Sequence, residues 1–264
     1  MVERFSYKEE VEGSIPSMPT GHLAQWLARC FDIAEVVGSN PSVPTFGKFK
    51  MQNSKFKILY EDSDLLVIDK PAGMVADDIL RRVHRLDKDT SGILLIAKND
   101  KTLEFLQKEF KEGRVIKKYL ALVVGKLKAK EGVIETLIGR SPKDGRKQKV
   151  YFPHEPGTEG KRKTKTEYKV LKEFKEFTLI EVEPKTGRKH QIRTHFAYLG
   201  HPIAGDRLYG FKNQPRPKNL KRQFLHASYL KIKLPDGEEK EFNCDLLKDL
   251  KEVLKNLKIY DNEN

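Results

Sequence analysis

The sequence predicts an α+β fold, a mixed and mainly antiparallel central sheet flanked by helices and loops. Nine segments read as strands against three as helices, and several strand pairs are joined by tight polar turns. The regular strand–helix alternation that builds a doubly wound sheet or a barrel is missing.

The elements follow in order. Residues 56–61 and 65–70 alternate or run apolar across the turn Asp62-Ser63-Asp64, a strand-turn-strand pattern. Residues 92–97 (GILLIA) are apolar throughout, as a strand buried on both faces would be. Asp100 is placed to cap a helix running to Lys111, with Leu103, Leu106 and Phe110 on one face. Residues 117–124, 132–138, 166–171 and 177–182 read as strands. A helix over 189–199 stops at Gly200, ahead of His201-Pro202. Residues 229–234 and 240–244 flank Pro235-Asp236-Gly237 as a hairpin, and 245–257 closes the chain as an amphipathic helix. There is no internal repeat.

Composition excludes several classes. Two cysteines, Cys30 and Cys244, make neither a disulfide framework nor a Cys-rich zinc site, which favours a reducing, cytoplasmic setting. No apolar run approaches the ~20 residues of a membrane helix, and no export signal opens the chain. Lys and Arg outnumber Asp and Glu by 51 to 38, a net charge of +13. That excess suits a polyanion partner, and equally a Lys/Glu-rich solvated surface. It is uneven: residues 1–50 hold five basic and six acidic residues, net −1, leaving 46 and 32 in residues 51–264, net +14. Two stretches read as basic linkers. Residues 140–165 hold nine basic and three acidic residues, and 211–223 hold five basic and none acidic. Two such loops in one domain favour phosphate contact over simple solvation, with Arg146, Lys147, Lys149, Lys161, Arg162 and Lys163 in the first and Lys218, Lys221 and Arg222 in the second as candidates.

Familiar catalytic constellations are mostly missing. There is no GxxxxGK[ST] phosphate loop and no GxSxG nucleophile elbow. His190 and His195 are five apart and diverge on a helix, so they do not make a zinc pair. What remains is His84-Arg85-Leu86-Asp87-Lys88-Asp89-Thr90-Ser91-Gly92, leading into the apolar strand. A carboxylate beside an arginine there reads either as a nucleophile or base held ionised, or as a loop salt bridge with Thr90 and Ser91 satisfying the turn.

This nine-residue segment resembles the active-site motif of the RluA-type family of RNA pseudouridine synthases. Four further segments agree in order: Lys70-Pro71-Ala72-Gly73, Lys117-Lys118-Tyr119-Leu120-Ala121, the run from Thr186 through His195 and on to Gly210, and Leu225-His226-Ala227. The similarity spans about residues 56–234. It implies the pseudouridine synthase catalytic-domain fold and an isomerisation that uses no cofactor and no metal. Asp87 would be the essential aspartate, attacking ribose C1′ or uracil C6. Arg193 would pair with it, and Ile192, Phe196 and Leu199 would face the core at i, i+4 and i+7, leaving His190 and Arg193 on another face. Tyr119 would pack under the uracil and accept or relay a proton if its pKa is shifted. Arg85 would enter the stack left by the flipped uridine. His84, Lys70, Thr90, His190 and Gln191, within the matched motifs, are further substrate-binding candidates.

Two departures bear on the substrate. Only ten residues, 74–83, separate KPAG from HRLD, where the family usually has a longer insert, and the stretch between Met51 and the first strand has no room for the small RNA-binding domain that many members carry. Substrate choice is then expected to rest on the basic loops. The reading is an RNA pseudouridine synthase acting as a monomer on structured RNA, large-subunit (23S) ribosomal RNA ahead of tRNA. A non-catalytic RNA-binding protein on this fold and a basic ribosome-associated protein are the competing classes.

The first fifty residues differ in texture and hold the sole tryptophan. Residues 22–36 place Leu23, Trp26, Leu27, Phe31 and Ala34 on a helical stripe, as a docking helix would. Read back into codons, Gly38-Ser39-Asn40-Pro41 resembles the T-loop of a tRNA gene and Leu23-Ala24-Gln25-Trp26 its D-arm, and the fifteen codons between Ala24 and Ser39 match their separation. The expectation is that much of residues 19–45 is a translated tRNA gene, that residues 1–50 are a disordered non-native extension, and that Met51 begins a catalytic domain of residues 51–264.

Overall fold

The computed structural model describes residues 56–79 and 81–258, so the readings of the leader and of Cys30 lie outside the described residues. The chain order is β1 (Lys57–Glu61), β2 (Leu65–Lys70), a short 3-10 turn (Ala76–Asp78), β3 (Ser91–Ala97), α1 (Asp100–Glu112), β4 (Ile116–Val124), β5 (Glu131–Arg140), β6 (Gln148–Tyr151), β7 (Arg162–Glu173), β8 (Phe177–Pro184), α2 (Gln191–Tyr198), β9 (Leu225–Lys233), β10 (Glu239–Asn243) and α3 (Lys248–Lys255). The ten strands form one sheet in the order β1-β2-β3-β9-β4-β8-β7-β5-β6, with β10 also on β9. Every pairing is antiparallel except β3 with β9, so the expected α+β class with a mixed, mainly antiparallel sheet is what the chain adopts.

Strand alternation decides where the helices go. Ala121 and Val123 of β4, with Ile180 and Val182 of β8, point to the side covered by Ile192 and Phe196 of α2. Leu122 points the other way, to Leu250 and Val253 of α3. A third cluster packs Leu106 of α1 on Leu65, Val67, Ile93, Leu95 and Leu230, with Cys244 buried and unpaired at its margin. All seven residues of β3 are buried, as its unbroken apolar run predicts.

Several boundaries differ from expectation for identifiable reasons. The cap of α1 is Asn99, whose side chain accepts the Thr102 N–H at 2.9 Å, and Asp100 is the first helical residue. Helix α2 begins at Gln191 because His190 is left-handed, with φ 55°. It is buried all round from Gln191 to Phe196 rather than on one face, and Leu199 is exposed. The stretch 140–165 is not one linker: Arg140 ends β5, Lys149 lies in β6, and Arg162 and Lys163 open β7, paired with Ile138 and Leu137. The sequence pattern places this strand at 166–171, short of its start at Arg162, because its inward groups there are Thr164 and Thr166, which meet Thr136 and His195 in a buried hydrogen-bonded ladder instead of an apolar one.

The single parallel contact joins Ser91 and Gly92 of β3 to His226 and Ala227 of β9, and it carries the Asp87 loop onto the sheet. Gly92 sits at φ 110° with the Ala227 backbone so close that any Cβ would collide with its carbonyl. Gly92→Ala is expected to destabilise the fold by about 3 kcal/mol or more, measured as a drop in urea midpoint at unchanged slope. An unaltered midpoint would mean the strands separate there without cost.

Candidate active site

The loop bearing Asp87 is held by its backbone. Lys70 is fully buried at the end of β2, and its ammonium donates to the carbonyls of Pro71 and Met74 at 2.9 Å and of Lys88 at 3.1 Å, tying the KPAG turn to the HRLD turn. Burial lowers its pKa to about 8. Arg222 reaches the Asp89 carbonyl at 3.3 Å, Gln223 donates to Thr90 Oγ1 at 2.8 Å, and Ser91 shares a 2.9 Å hydrogen bond with His226 Nδ1. The Thr90 N–H closes a turn onto the Asp87 carbonyl at 3.0 Å. What projects from this frame is the Asp87 carboxylate.

Arg193 of α2 meets it. Its Nη1 donates to Asp87 Oδ2 at 2.8 Å, while Nε and Nη2 donate to Asp206 Oδ2 and Oδ1 at 2.7 and 2.9 Å. Asp206 also accepts the N–H groups of Leu208 and Tyr209. It is placed by backbone bonds of the preceding segment, Ala204 N–H to Leu122 and Phe224 N–H to Ala204. Burial works against charge on both groups of this pair, but their mutual hydrogen bonds and attraction win: the Arg193 pKa is raised and that of Asp206 is lowered.

Three ring side chains complete the site. Tyr209 lies under the Arg193 guanidinium, 5.1 Å from ring centroid to carbon, and its hydroxyl accepts the Gln148 N–H at 2.6 Å and bonds His190 Nδ1 at 3.0 Å. His190, kept neutral chiefly by burial, presents Nε2 3.8 Å from Asp87 Oδ1. Tyr119 of β4 has its pKa raised, first by burial and then by the Asp87 charge, so it stands as a neutral phenol rather than a proton acceptor. Asp87, Tyr119, His190, Arg193 and Leu225 line one cleft of 680 Å³, a size suited to a nucleotide-sized ligand. A second hollow of 320 Å³, beside Tyr60 and Phe242, holds none of these groups.

The structure sorts the remaining candidates. Arg85 is exposed at the lip of the cleft, 3.1 Å from Asp77. His84 lines the cleft but accepts the Leu95 N–H at 3.2 Å and stacks on Phe110, with its pKa lowered to about 3 by burial. Lys70, Thr90 and Gln191 are buried and their polar atoms bond protein partners, so they brace the site, while Thr90 and Gln191 also line the cleft. Arg222 is likewise no free loop cation: it is buried and paired with Asp249 at 2.8 Å. Arg146 is exposed beside Asp144, Lys147 is half-buried, and Lys218 and Lys221 are exposed. Lys149 and Lys161 each stand 5.0 Å over the Tyr151 ring. His195 faces the threonine ladder, apart from His190, and among the described residues no group of three His, Cys, Asp or Glu could hold a metal.

Sequence reasoning missed Asp206 and Tyr209 as parts of the site, although both lie in a matched motif; no periodicity links a carboxylate to an arginine thirteen residues earlier. Asp206→Asn should cost about 3 kcal/mol of stability at pH 7, because it leaves the buried guanidinium short of charge. Its acid limb should also be flatter than that of the parent. The lowered Asp206 pKa contributes stability that is present above the ordinary value of 3.8 and lost as pH falls through the folded value below it. Urea titrations from pH 7 to 2 check both; parallel acid limbs would contradict the assignment.

The RNA pseudouridylate synthase family matches residues 76–198. An RNA pseudouridine synthase of Chlorobaculum parvum is 41% identical over 244 residues, covering 76% of this chain and 74% of the relative. A ribosomal large subunit pseudouridine synthase C of Vibrio parahaemolyticus is 35% identical over 233 residues, covering 79% and 71%. Among solved structures, human RNA pseudouridylate synthase domain containing 1 aligns with TM-score 0.67 and 30% identity, over 78% of this chain and 89% of that one. The chain belongs to the RluA-type family of RNA pseudouridine synthases.

Proposed function

We propose that this isomerase converts particular uridines of large-subunit ribosomal RNA to pseudouridine, with Asp87 as the attacking carboxylate, Arg193 as its ionic partner and Tyr119 as the ring beneath the uracil. The observation that carries the reading is the Asp206–Arg193–Asp87 chain, which aims one carboxylate into a cleft with an aromatic wall. Arg193 Nη1 donates to Asp87 Oδ2 and fixes the orientation of the carboxylate, and a nucleophile has to be held in place against its target.

The reaction breaks the bond from ribose C1′ to N1 and forms one from C1′ to C5, while the C5 proton is given up and N1 gains one. Nothing is oxidised or reduced, so the chemistry itself calls for neither a metal nor a redox cofactor. Asp87 attacks ribose C1′ or uracil C6, holding one fragment while the base turns. Tyr119, a neutral phenol, packs on the base and can donate a hydrogen bond. Reaching the uridine requires flipping it from its stack, a cost of a few kcal/mol offset by stacking and phosphate contacts; Arg85, exposed beside Asp77, would fill the gap.

The ribosomal substrate is favoured by the relative from Vibrio parahaemolyticus, whose name states it. Arg146, Lys149, Lys161, Lys218 and Lys221 are the cations that would track the RNA backbone. One chain carries every residue named, so a monomer suffices, and work on ribosomal RNA belongs in the cytoplasm. Residues 51–264 hold all of these groups and are proposed as the catalytic domain.

Incubation of unmodified large-subunit ribosomal RNA and tRNA with the protein, followed by mapping of pseudouridine at nucleotide resolution, tests the assignment. Asp87→Asn should lower product formation by about 10³-fold or more while salt-dependent RNA binding stays within about twofold, and residues 51–264 alone should match the full chain. Product confined to tRNA would move the substrate, and an active Asp87→Asn protein would remove Asp87 from the chemistry.

A further inference from the structure

Strand β4 brings a second polar group to the cleft. Lys117 stands two residues before Tyr119, so alternation puts both side chains on one face of the strand, about 7 Å apart along it. Lys117 is 8% exposed and lines the cleft, yet its ammonium makes no side-chain hydrogen bond or ion pair with any described residue. Lys70, the other deeply buried lysine of the site, is the contrast: three carbonyls satisfy it. Glu183 is the one carboxylate that favours the Lys117 charge, and it is engaged by Lys185. Asp69 Oδ1 and Thr194 Oγ1 are the sealed side-chain polar atoms without a partner among the described residues, and Lys117 Nζ is not one of them, so this ammonium reaches the open cleft; drawn largely out of water with no protein partner, it is costly until an anion meets it.

We propose that Lys117 binds a phosphate of the RNA next to the uridine held at Asp87 and Tyr119, an inference that rests on the synthase reading above. An ammonium is a compact point charge with three donors, suited to a phosphate oxygen. Beside it, the stacked rings of His84 and Phe110 form an uncharged wall, centroids 4.6 Å apart, against which a neighbouring sugar or base can lie. A role in moving the C5 proton fits less well. The Asp87 charge acts on Tyr119, whereas the charges acting on Lys117 are those of Glu183 and Lys185, which sets Lys117 away from the reacting carbon.

Burial lowers the Lys117 pKa to about 8, so the contact weakens in the free protein as pH rises through that value. The groups that share its part of the cleft are His84, Lys111 and Glu112 at the end of α1, Tyr119, and Glu183 and Lys185 at the end of β8. An arginine at position 117 stays charged throughout and separates the lysine's titration from theirs.

The test uses the full chain and unmodified large-subunit ribosomal RNA. Lys117→Met should raise KM about tenfold with kcat within about twofold, and reduce the slope of log KM against log salt by about one phosphate contact. The parent KM should rise between pH 7 and 9, and Lys117→Arg should keep KM near that of the parent at pH 7 and abolish that rise. Unchanged KM and salt slope in Lys117→Met would overturn the proposal, as would a fall in kcat at constant KM, which would make Lys117 a proton-transfer group. If Lys117→Met does not fold by circular dichroism, the pH comparison with Lys117→Arg decides alone. Equilibrium RNA binding with the same proteins is independent of product: a parent that makes no pseudouridine ends the enzymatic reading, while about tenfold weaker binding by Lys117→Met would still support the phosphate contact.

Discussion

Arg193 is 7% exposed and charged, and the rest of the site is arranged around that fact. A guanidinium taken out of water is tolerable only when its donors are matched, and Asp206, with the backbone that fixes it, takes one edge of the fork through Nε and Nη2. Nη1 remains, and it points at Asp87. The Asp87 carboxylate is therefore positioned from behind, by helix α2 and the segment 203–209, as much as by its own loop. Lysine could not substitute, because the arrangement needs a planar fork that serves two carboxylates at fixed angles.

The loop side of the arrangement is equally constrained. Lys70, Arg222 and Gln223 hold backbone or side-chain groups of residues 88–90, and Gly92 lets β3 press against β9 at the one parallel contact in the sheet. His190 adopts a left-handed conformation that costs an ordinary residue about 1 kcal/mol or more; in return its ring reaches Tyr209 and faces Asp87 while α2 begins one residue later. A carboxylate anchored on both sides loses little freedom when a substrate arrives, which is how fixed geometry lowers a barrier.

Legibility in the sequence followed the physical signal each residue type leaves. Strands with apolar alternation or unbroken apolar runs, such as β2, β3, β4 and β8, and the helix stripe of α1, were readable because burial requires those patterns. Strand β6 and the start of β7 were not, since their inward groups include threonines bonded to one another and to His195, and their outward groups are lysines and arginines that mimic a solvated loop. The cap of α1 was misplaced by one residue because Asn99 and Asp100 are equally good caps by type, and only backbone geometry chooses.

The site divides the same way. Residue order alone established that a carboxylate sits beside an arginine ahead of a buried strand, and the matched motifs named Asp87, Tyr119 and Arg193, because their chemistry is written in residue type and spacing. Which motif members line the cleft and which brace the loop was decided by tertiary structure. Lys70, Thr90, Gln191 and Arg222 look like ligands by type, but each finds protein partners from distant segments. Asp206 and Lys117 look ordinary by type, yet folding places one behind Arg193 and leaves the other in the cleft without a hydrogen bond or ion pair among the described residues. Hydrogen-bond saturation depends on neighbours up to 135 positions away in the chain, as for Ser91 and His226, and no local pattern encodes those neighbours.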